Sequence, residues 1–171
     1  MKLSQASVVT ELGPLYLVAS EVGLRGVYWD EQPGTVAASN AVLRIAVKQL
    51  VEYFSRRRQA FDLPLELEGT PFQKRVWERL CQIPYGQTCS YKDVAASIKN
   101  PQAVRAVGGA NGKNPLCVVV PCHRVIAADG GIGGYTGGLE IKRYLIELER
   151  GNRASVRSVA AARISIQPSA E

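Results

Sequence analysis

The chain's single histidine, His123, stands directly behind Cys122 in the stretch VVVPCHRVIAADGGIGGYTGG (118–138). A thiol attacks as its thiolate, so a reactive cysteine needs a base or a positive charge close by, and His123 and Arg124 are the next two residues. Pro121 bends the chain after a β-branched run, which can present a nucleophile at the lip of a pocket. Neighbouring side chains of an extended segment diverge, so a turn or a bridging water must connect His123 with Cys122. A third group must then orient the imidazole. Glu147 and Glu149, in GLEIKRYLIELERG (138–151), are both available, and their spacing does not choose between them. The plainer reading makes Cys122 a small buried apolar residue at a strand end.

Six of the nine residues in GGIGGYTGG (130–138) are glycine. The loop has neither the G-K-[ST] of a phosphate-binding loop nor the G-x-G-x-x-G of a dinucleotide site. It does let backbone approach a flat ligand and offer N–H donors, with Tyr135 as an aromatic wall. Upstream, PQAVRAVGGAN (101–111) reads as a helix of small residues: Ala103, Ala106, Gly108, Gly109 and Ala110, with Arg105 as its one long basic group. Helices that read the major groove carry long polar side chains, so a helix this thin suits close approach in the minor groove, with little sequence readout. The alternative is that the small residues permit tight helix packing. Arg105 among them could enter the base stack in place of an extruded nucleotide.

The elements that must hold these residues come in two sets. At 171 residues and 46% apolar content, the chain can form one large or two small domains with a real core. Residues 7–12, 15–20 and 24–29 read as strands of a small antiparallel sheet with turns at 13–14 and 21–23, followed by an amphipathic helix over about 36–54 with Arg56–Arg58 as its basic last turn. Residues 61–69 read as strand or linker. Thr70 and Pro71 open a helix whose buried stripe is Phe72, Val76, Trp77, Leu80 and Cys81. A short helix capped by Ser90 (90–98) and the helix 101–111 have helix-turn-helix proportions. LCVVVP (116–121) reads as a buried strand or extended segment, and an amphipathic helix closes the unit. The expected domains are 1–62, a linker at 63–69, 70–151, and a flexible tail at 152–171.

Net charge is +6, and it is unevenly spread. Residues 1–69 carry 7 Lys/Arg against 8 Asp/Glu, residues 70–150 carry 11 against 6, and residues 151–171 carry 3 against 1. The basic excess beside Cys122 points to a polyanionic partner. No apolar run is long enough to cross a membrane or act as a signal peptide, so the expectation is a cytoplasmic protein without a membrane partner. Cys81, Cys89, Cys117 and Cys122 form no C-x-x-C pair. They are expected to be free thiols, with no metal site and no cofactor.

With TPFQKRVWERLCQIPYGQTCSY, VRAVGGAN, NPLCVVVPCHRV, GYTGG and KRYLIELE on the page, the chain resembles the O6-alkylguanine-DNA alkyltransferase family, the methylated-DNA–protein-cysteine methyltransferases. The match is dense over about residues 70–150 and covers the first half only in outline, best at GPLYLV. The resemblance implies an α+β (α/β) fold, with an RNase H-like N-terminal sheet and helix and a mostly helical, winged-helix-like C-terminal domain. It implies a DNA repair protein that flips O6-alkylguanine out of duplex DNA and takes the alkyl group irreversibly onto Cys122, acting once, as a monomer. O4-alkylthymine is a second candidate substrate. By the same resemblance His123 deprotonates Cys122 through a water, Glu149 polarises His123, and Asn114 ties the helix-turn-helix to the active-site segment. Tyr91 donates to the departing guanine, while Val125, Tyr135 and Thr136 hold the flipped base. Arg105 fills the gap in the duplex, with Ala106, Gly108, Gly109 and Ala110 on the DNA. The histidines that hold zinc in some members are missing here. Two other classes compete: a non-catalytic damage-sensing DNA-binding module, against which Cys122 beside His123 argues, and a cysteine hydrolase, which would leave the small-residue helix unexplained.

Overall fold

The computed structural model describes residues 2–151, which form two units dividing after Glu68. The expected tail, 152–171, lies outside the described residues. In the first unit, β1 (Ser4–Thr10), β2 (Gly13–Ala19) and β3 (Leu24–Tyr28) form an antiparallel meander. A short β4 (Val36–Ala37) pairs in parallel with β1, giving the order β3-β2-β1-β4. β1 starts three residues and β2 two residues earlier than the apolar alternation suggested, because the first hairpin turns at Glu11 and Leu12 instead of at Gly13 and Pro14, while β3 starts at Leu24 as expected. Thr10 faces Gly13 across that two-residue loop, and Val9 faces Pro14. In an antiparallel ladder the pair flanking such a loop is hydrogen-bonded and the next is not, so the missing N–H of Pro14 costs nothing toward β1. The ladder with β3 ends at Tyr16, short of Pro14.

The helix α1 covers Ala41–Phe54, starting later than expected because Asn40 caps it, its side chain accepting from the Leu43 N–H. Residues 36 and 37 belong to the sheet. Val42, Leu43, Ala46, Leu50 and Tyr53 are the buried face. Ser55 ends the helix and Arg56 takes a positive φ of 61°, so the basic run lies just beyond the last turn. The stretch expected as a linker is a core element of this unit. Phe61, Leu63, Leu65 and Leu67 are all buried, Leu65 bridges to Leu24, and the Leu24 N–H donates to Pro64 O at 2.8 Å. Alternation of period two over these residues is the pattern of a strand with one buried face.

The second unit opens with α2 (Pro71–Leu80). Thr70 and Gln73 form a reciprocal capping box, and Val76, Trp77 and Leu80 are buried. Phe72 and Cys81 remain half-buried. A second capping box, between Ser90 and Asp93, starts α3 (Tyr91–Ser97), and a turn through Lys99 at φ 60° leads to α4 (Val104–Gly112). Residues 101 and 102 are turn, so α4 begins three residues later than expected. The helices α2, α3 and α4 pack on one another, with Trp77 Nε1 donating to Ala110 O at 2.8 Å. The pair β5 (Cys89–Ser90) and β6 (Val125–Ile126) is parallel and ties the start of α3 to the residues after Cys122. The last element is α5 (Leu139–Gly151). The expected class, a small sheet with a helix followed by a mostly helical unit with a helix-turn-helix, is the one observed. None of the described helices is long and apolar enough to cross a membrane.

Candidate active site

LCVVVP forms a turn where a strand or extended segment was expected. The Val120 N–H bonds to Leu116 O and the Val119 N–H to Cys117 O, both at 2.9 Å, and Val118 sits at φ 73°. A β-branched residue in that region is strained and persists only where its surroundings over-determine it. Asn114 supplies part of that hold: its Nδ2 donates to Val120 O at 2.8 Å and its Oδ1 accepts from the Leu116 N–H at 2.9 Å. Cys122–Arg124 then make a single 3₁₀ turn. All three of its residues are buried, so the turn that the cysteine–histidine pair needed is present.

His123 Nε2 lies 2.7 Å from Glu149 Oε1. Arg124 grips the same carboxylate through Nε and Nη2, each at 2.9 Å, and donates from Nη1 to Ile83 O at 2.7 Å. The Gly86 N–H adds a fourth bond to Glu149, at 3.2 Å. Burial alone would raise the Glu149 carboxyl; attraction and hydrogen bonding from His123 and then Arg124 outweigh it and hold the carboxyl well below the ordinary range. Burial pushes His123 down, with Glu149 opposing, so the imidazole is neutral near pH 7. An ionised carboxylate only accepts, so the proton sits on Nε2, an assignment that follows from the partner. Nδ1 is left as the basic nitrogen, buried and with no hydrogen-bond partner among the described residues.

Cys122 lines a cavity of about 360 Å³ together with Tyr91, Gly108, Asn111, Gly112, Gly134, Tyr135 and Thr136. Pockets for small ligands begin at about 300 Å³. The adjoining Cys117 thiol and burial push the Cys122 thiol well up, while Asn114 and the Lys142 ammonium oppose. Lys142 is itself buried in α5, donating from Nζ to Val125 O at 2.7 Å and Gly134 O at 3.1 Å. Burial lowers it to about 8. Its Nζ also lies 5.9 Å from the Tyr91 ring centroid. Burial, and then the charge on Cys122, raise the Tyr91 hydroxyl, which keeps it a proton donor. The four cysteines are free, and no cluster that could hold a metal occurs among the described residues.

The structure brings Cys122, Tyr91, Tyr135 and Thr136 to the cavity, and His123 and Glu149 to one buried network behind it. Glu147 is exposed, so burial separates the two candidate acids. Asn114 supports the turn without lining the cavity. Val125 is fully buried and does not line it either, and its carbonyl accepts from Lys142. On α4, Arg105, Ala106 and Gly109 are exposed and Gly108 faces the cavity. A Cβ at Gly109 or Gly112 would meet nothing within 4 Å, so packing inside this unit does not demand glycine there. Ala110 is a correction: it is buried on the side of α4 facing Trp77, where it cannot reach a duplex. Sequence reasoning missed Asn111 and the structural parts of Arg124 and Lys142. A signal for the last existed, since Lys142, Leu145, Ile146 and Glu149 at helical spacing place two charges in an apolar stripe.

Two family models match the chain. Residues 5–67 match the ribonuclease-like domain of 6-O-methylguanine DNA methyltransferase, and residues 71–151 match its DNA-binding domain. A methylated-DNA–protein-cysteine methyltransferase of Methanosarcina barkeri is 45% identical over 151 residues, 85% of this chain and 96% of that protein. One from Mycobacterium bovis is 49% identical over 123 residues, 72% of this chain and 70% of that protein. Among solved structures, the O6-methylguanine methyltransferase of Mycobacterium tuberculosis superposes with a TM-score of 0.79 at 42% identity, covering 87% of this chain and 93% of that one. The same protein in complex with DNA gives a TM-score of 0.80 at 42% identity, covering 88% and 94%.

Proposed function

Because the chain belongs to the 6-O-methylguanine DNA methyltransferase family, we propose that it is a DNA repair methyltransferase that moves the alkyl group of O6-alkylguanine in duplex DNA onto its own Cys122. The observation that carries this reading is the buried relay. His123 is neutral, its Nε2 proton is committed to Glu149, and its Nδ1 is available as a base beside a cysteine that opens on a cavity of ligand size.

The step balances without a cofactor. The Cys122 proton passes through a water to His123 Nδ1, Sγ attacks the alkyl carbon, the carbon–O6 bond breaks, and the electron pair leaves with the base. The departing guanine takes up one proton, so thiol and O6-alkylguanine become thioether and guanine. Tyr91, whose raised hydroxyl keeps its proton, donates a hydrogen bond to the base as charge develops on it. Asn114 holds the turn that carries Cys122. The Gly134–Thr136 wall, with Tyr135 as its aromatic part, grips the extruded base. A thioether has no good leaving group, so each chain acts once, as a monomer on one lesion.

Bases are unreachable inside a duplex, so the nucleotide must leave the stack. The exposed face of α4, built from Ala106 and Gly109 with Gly108 and Gly112 at the cavity wall, suits approach to the minor groove with little base readout. Arg105 on that helix fills the vacated position. Intact and peptide mass spectrometry after mixing the protein with duplex DNA holding one O6-methylguanine tests the reading. One methyl on Cys122, saturating at one per chain, is expected. Bound DNA with no methyl transferred would reduce the protein to a damage-recognition module.

A further inference from the structure

We propose that Cys117 is a resolving thiol for Cys122: a hydroperoxide entering the cavity oxidises Cys122, and Cys117 then closes a reversible disulfide that keeps the acceptor from irreversible oxidation. The protective role rests on the alkyl-transfer reading above; the disulfide itself does not. Cys117 and Cys122 stand at the two ends of the turn that carries the acceptor. The chain reverses between them, with the Val120 N–H on Leu116 O and the Val119 N–H on Cys117 O, both at 2.9 Å, and the Cys122 N–H on Val120 O at 2.8 Å. Both side chains are buried, and the two thiols share a hydrogen bond. Of the four cysteines, Cys122 is the one that lines the cavity.

Access and acidity divide the work between the two sulfurs. Cys122 meets small solutes in the cavity, with His123 behind it as its base. Cys117 does not line the cavity, so it is shielded from an oxidant there while touching the sulfur that is not. The hydrogen bond with Cys122 lowers the Cys117 thiol, burial opposes, and Tyr135 adds to the lowering, so Cys117 is the readier thiolate of the pair. Cys81 and Cys89 are poor substitutes, since burial pushes Cys81 up to about 12 and raises Cys89. A sulfenic acid beside a second thiol condenses to a disulfide, and one left by itself is carried on to sulfinic acid, which thiols do not reverse. That difference matters for a chain that acts once, because an acceptor lost to oxidation never acts.

The steps balance with the hydroperoxide as oxidant. Cys122 Sγ, its proton passed to His123, attacks the outer peroxide oxygen, the O–O bond breaks, and the leaving oxygen takes the electron pair and that proton. Cys117 Sγ then attacks the Cys122 sulfur, the S–O bond breaks, and hydroxide leaves as water with the Cys117 proton. The two thiols have given up two electrons and two hydrogens, and the hydroperoxide has become an alcohol and water.

The test uses the whole chain and hydrogen peroxide. Cleavage after Lys113 and Arg124 releases one peptide, residues 114–124, that contains Cys117 and Cys122 but neither Cys81 nor Cys89. In the wild-type protein this peptide should become lighter by two hydrogens, and dithiothreitol should restore methyl acceptance from duplex DNA holding O6-methylguanine. In Cys117→Ser, or in Cys117→Ala if the serine variant does not fold, prolonged treatment should leave Cys122 heavier by two oxygens. A neighbouring thiol outcompetes sub-millimolar oxidant, so the recovered fraction of methyl acceptance should be about tenfold higher in wild type, or more. Each value is divided by that of the same preparation kept reduced, so loss of active protein cancels. A wild-type peptide that stays unchanged or gains oxygen, a bridge from Cys122 to Cys81 or Cys89, or equal recovery in the variants overturns the assignment while leaving alkyl transfer standing. No methyl on the reduced wild-type protein overturns the alkyl-transfer reading and the protective role with it, while the peptide mass still decides the disulfide.

Discussion

Replacing Glu149 by Gln separates the two tasks of the buried relay. The carboxylate has four bonds, from His123, twice from Arg124, and from the Gly86 N–H. With an amide in its place, the Arg124 guanidinium, 7% exposed, keeps Ile83 O, one amide oxygen and the Tyr85 ring at 5.8 Å, and loses its carboxylate partner. Breaking one side of a buried ion pair costs about 3–5 kcal/mol, because the other charge stays buried. For a protein of this length that lowers the melting temperature by roughly 6–20 °C. The chemistry suffers separately. The amide neither stabilises imidazolium nor forces the proton onto Nε2, and loss of a positioned base is worth about 10²-fold or more in rate. Methyl transfer to Cys122 should be timed by mass spectrometry at a temperature where circular dichroism shows Glu149→Gln folded. A transfer rate within threefold of wild type in the folded variant would refute the relay. The pH dependence gives a second check. The Glu149 carboxyl lies below its unfolded value, so its stabilisation is present above about pH 4.3 and is lost as pH falls below it. The stability of the wild-type protein should therefore fall more steeply between about pH 5 and 2 than that of Glu149→Gln, and parallel acid titrations would count against the assignment.

Arg105→Ala should slow repair of duplex DNA more than reaction with the free alkylated base, and equal slowing would remove the role assigned to that side chain. Two glycines should respond in opposite ways. A Cβ on Gly69 would lie 2.6 Å from the Trp77 ring, so Gly69→Ala should lose about 1–3 kcal/mol in chemical denaturation. Gly109→Ala meets nothing within 4 Å and should gain up to about 1 kcal/mol from helix propensity, while weakening duplex binding measured by fluorescence anisotropy. Lys142 falls to about 8 in the folded chain, so between pH 8 and its ordinary 10.5 the unfolded chain holds more protons than the folded one. The cost of burying its charge is relieved as pH rises through that window. The stability of wild type minus that of Lys142→Met should increase from pH 8 to 10, and a constant difference would contradict the burial of a charged Lys142.

What could be read in the sequence was whatever acts over a few residues. Thr70 with Gln73 and Ser90 with Asp93 close capping boxes at a spacing of three, so the starts of α2 and α3 were legible. Cys122, His123 and Arg124 are neighbours, and their chemistry is local. Where local preference competed with long-range packing, the sequence pointed the wrong way. VVV favours a strand, yet Asn114 and the turn bonds force Val118 to a positive φ. Leu63, Leu65 and Leu67 alternate like any half-buried strand, and it took Leu24 to show what they bury against. Small size alone did not distinguish Ala110, turned toward Trp77, from Gly109, turned to solvent. The choice of Glu149 over Glu147 depends on a contact across 26 residues, and the pairing of Asn111 with the Cys122 carbonyl on one across 11. Such contacts exist only after the helices have packed, because the free energy that makes them is the burial of side chains distant in the chain.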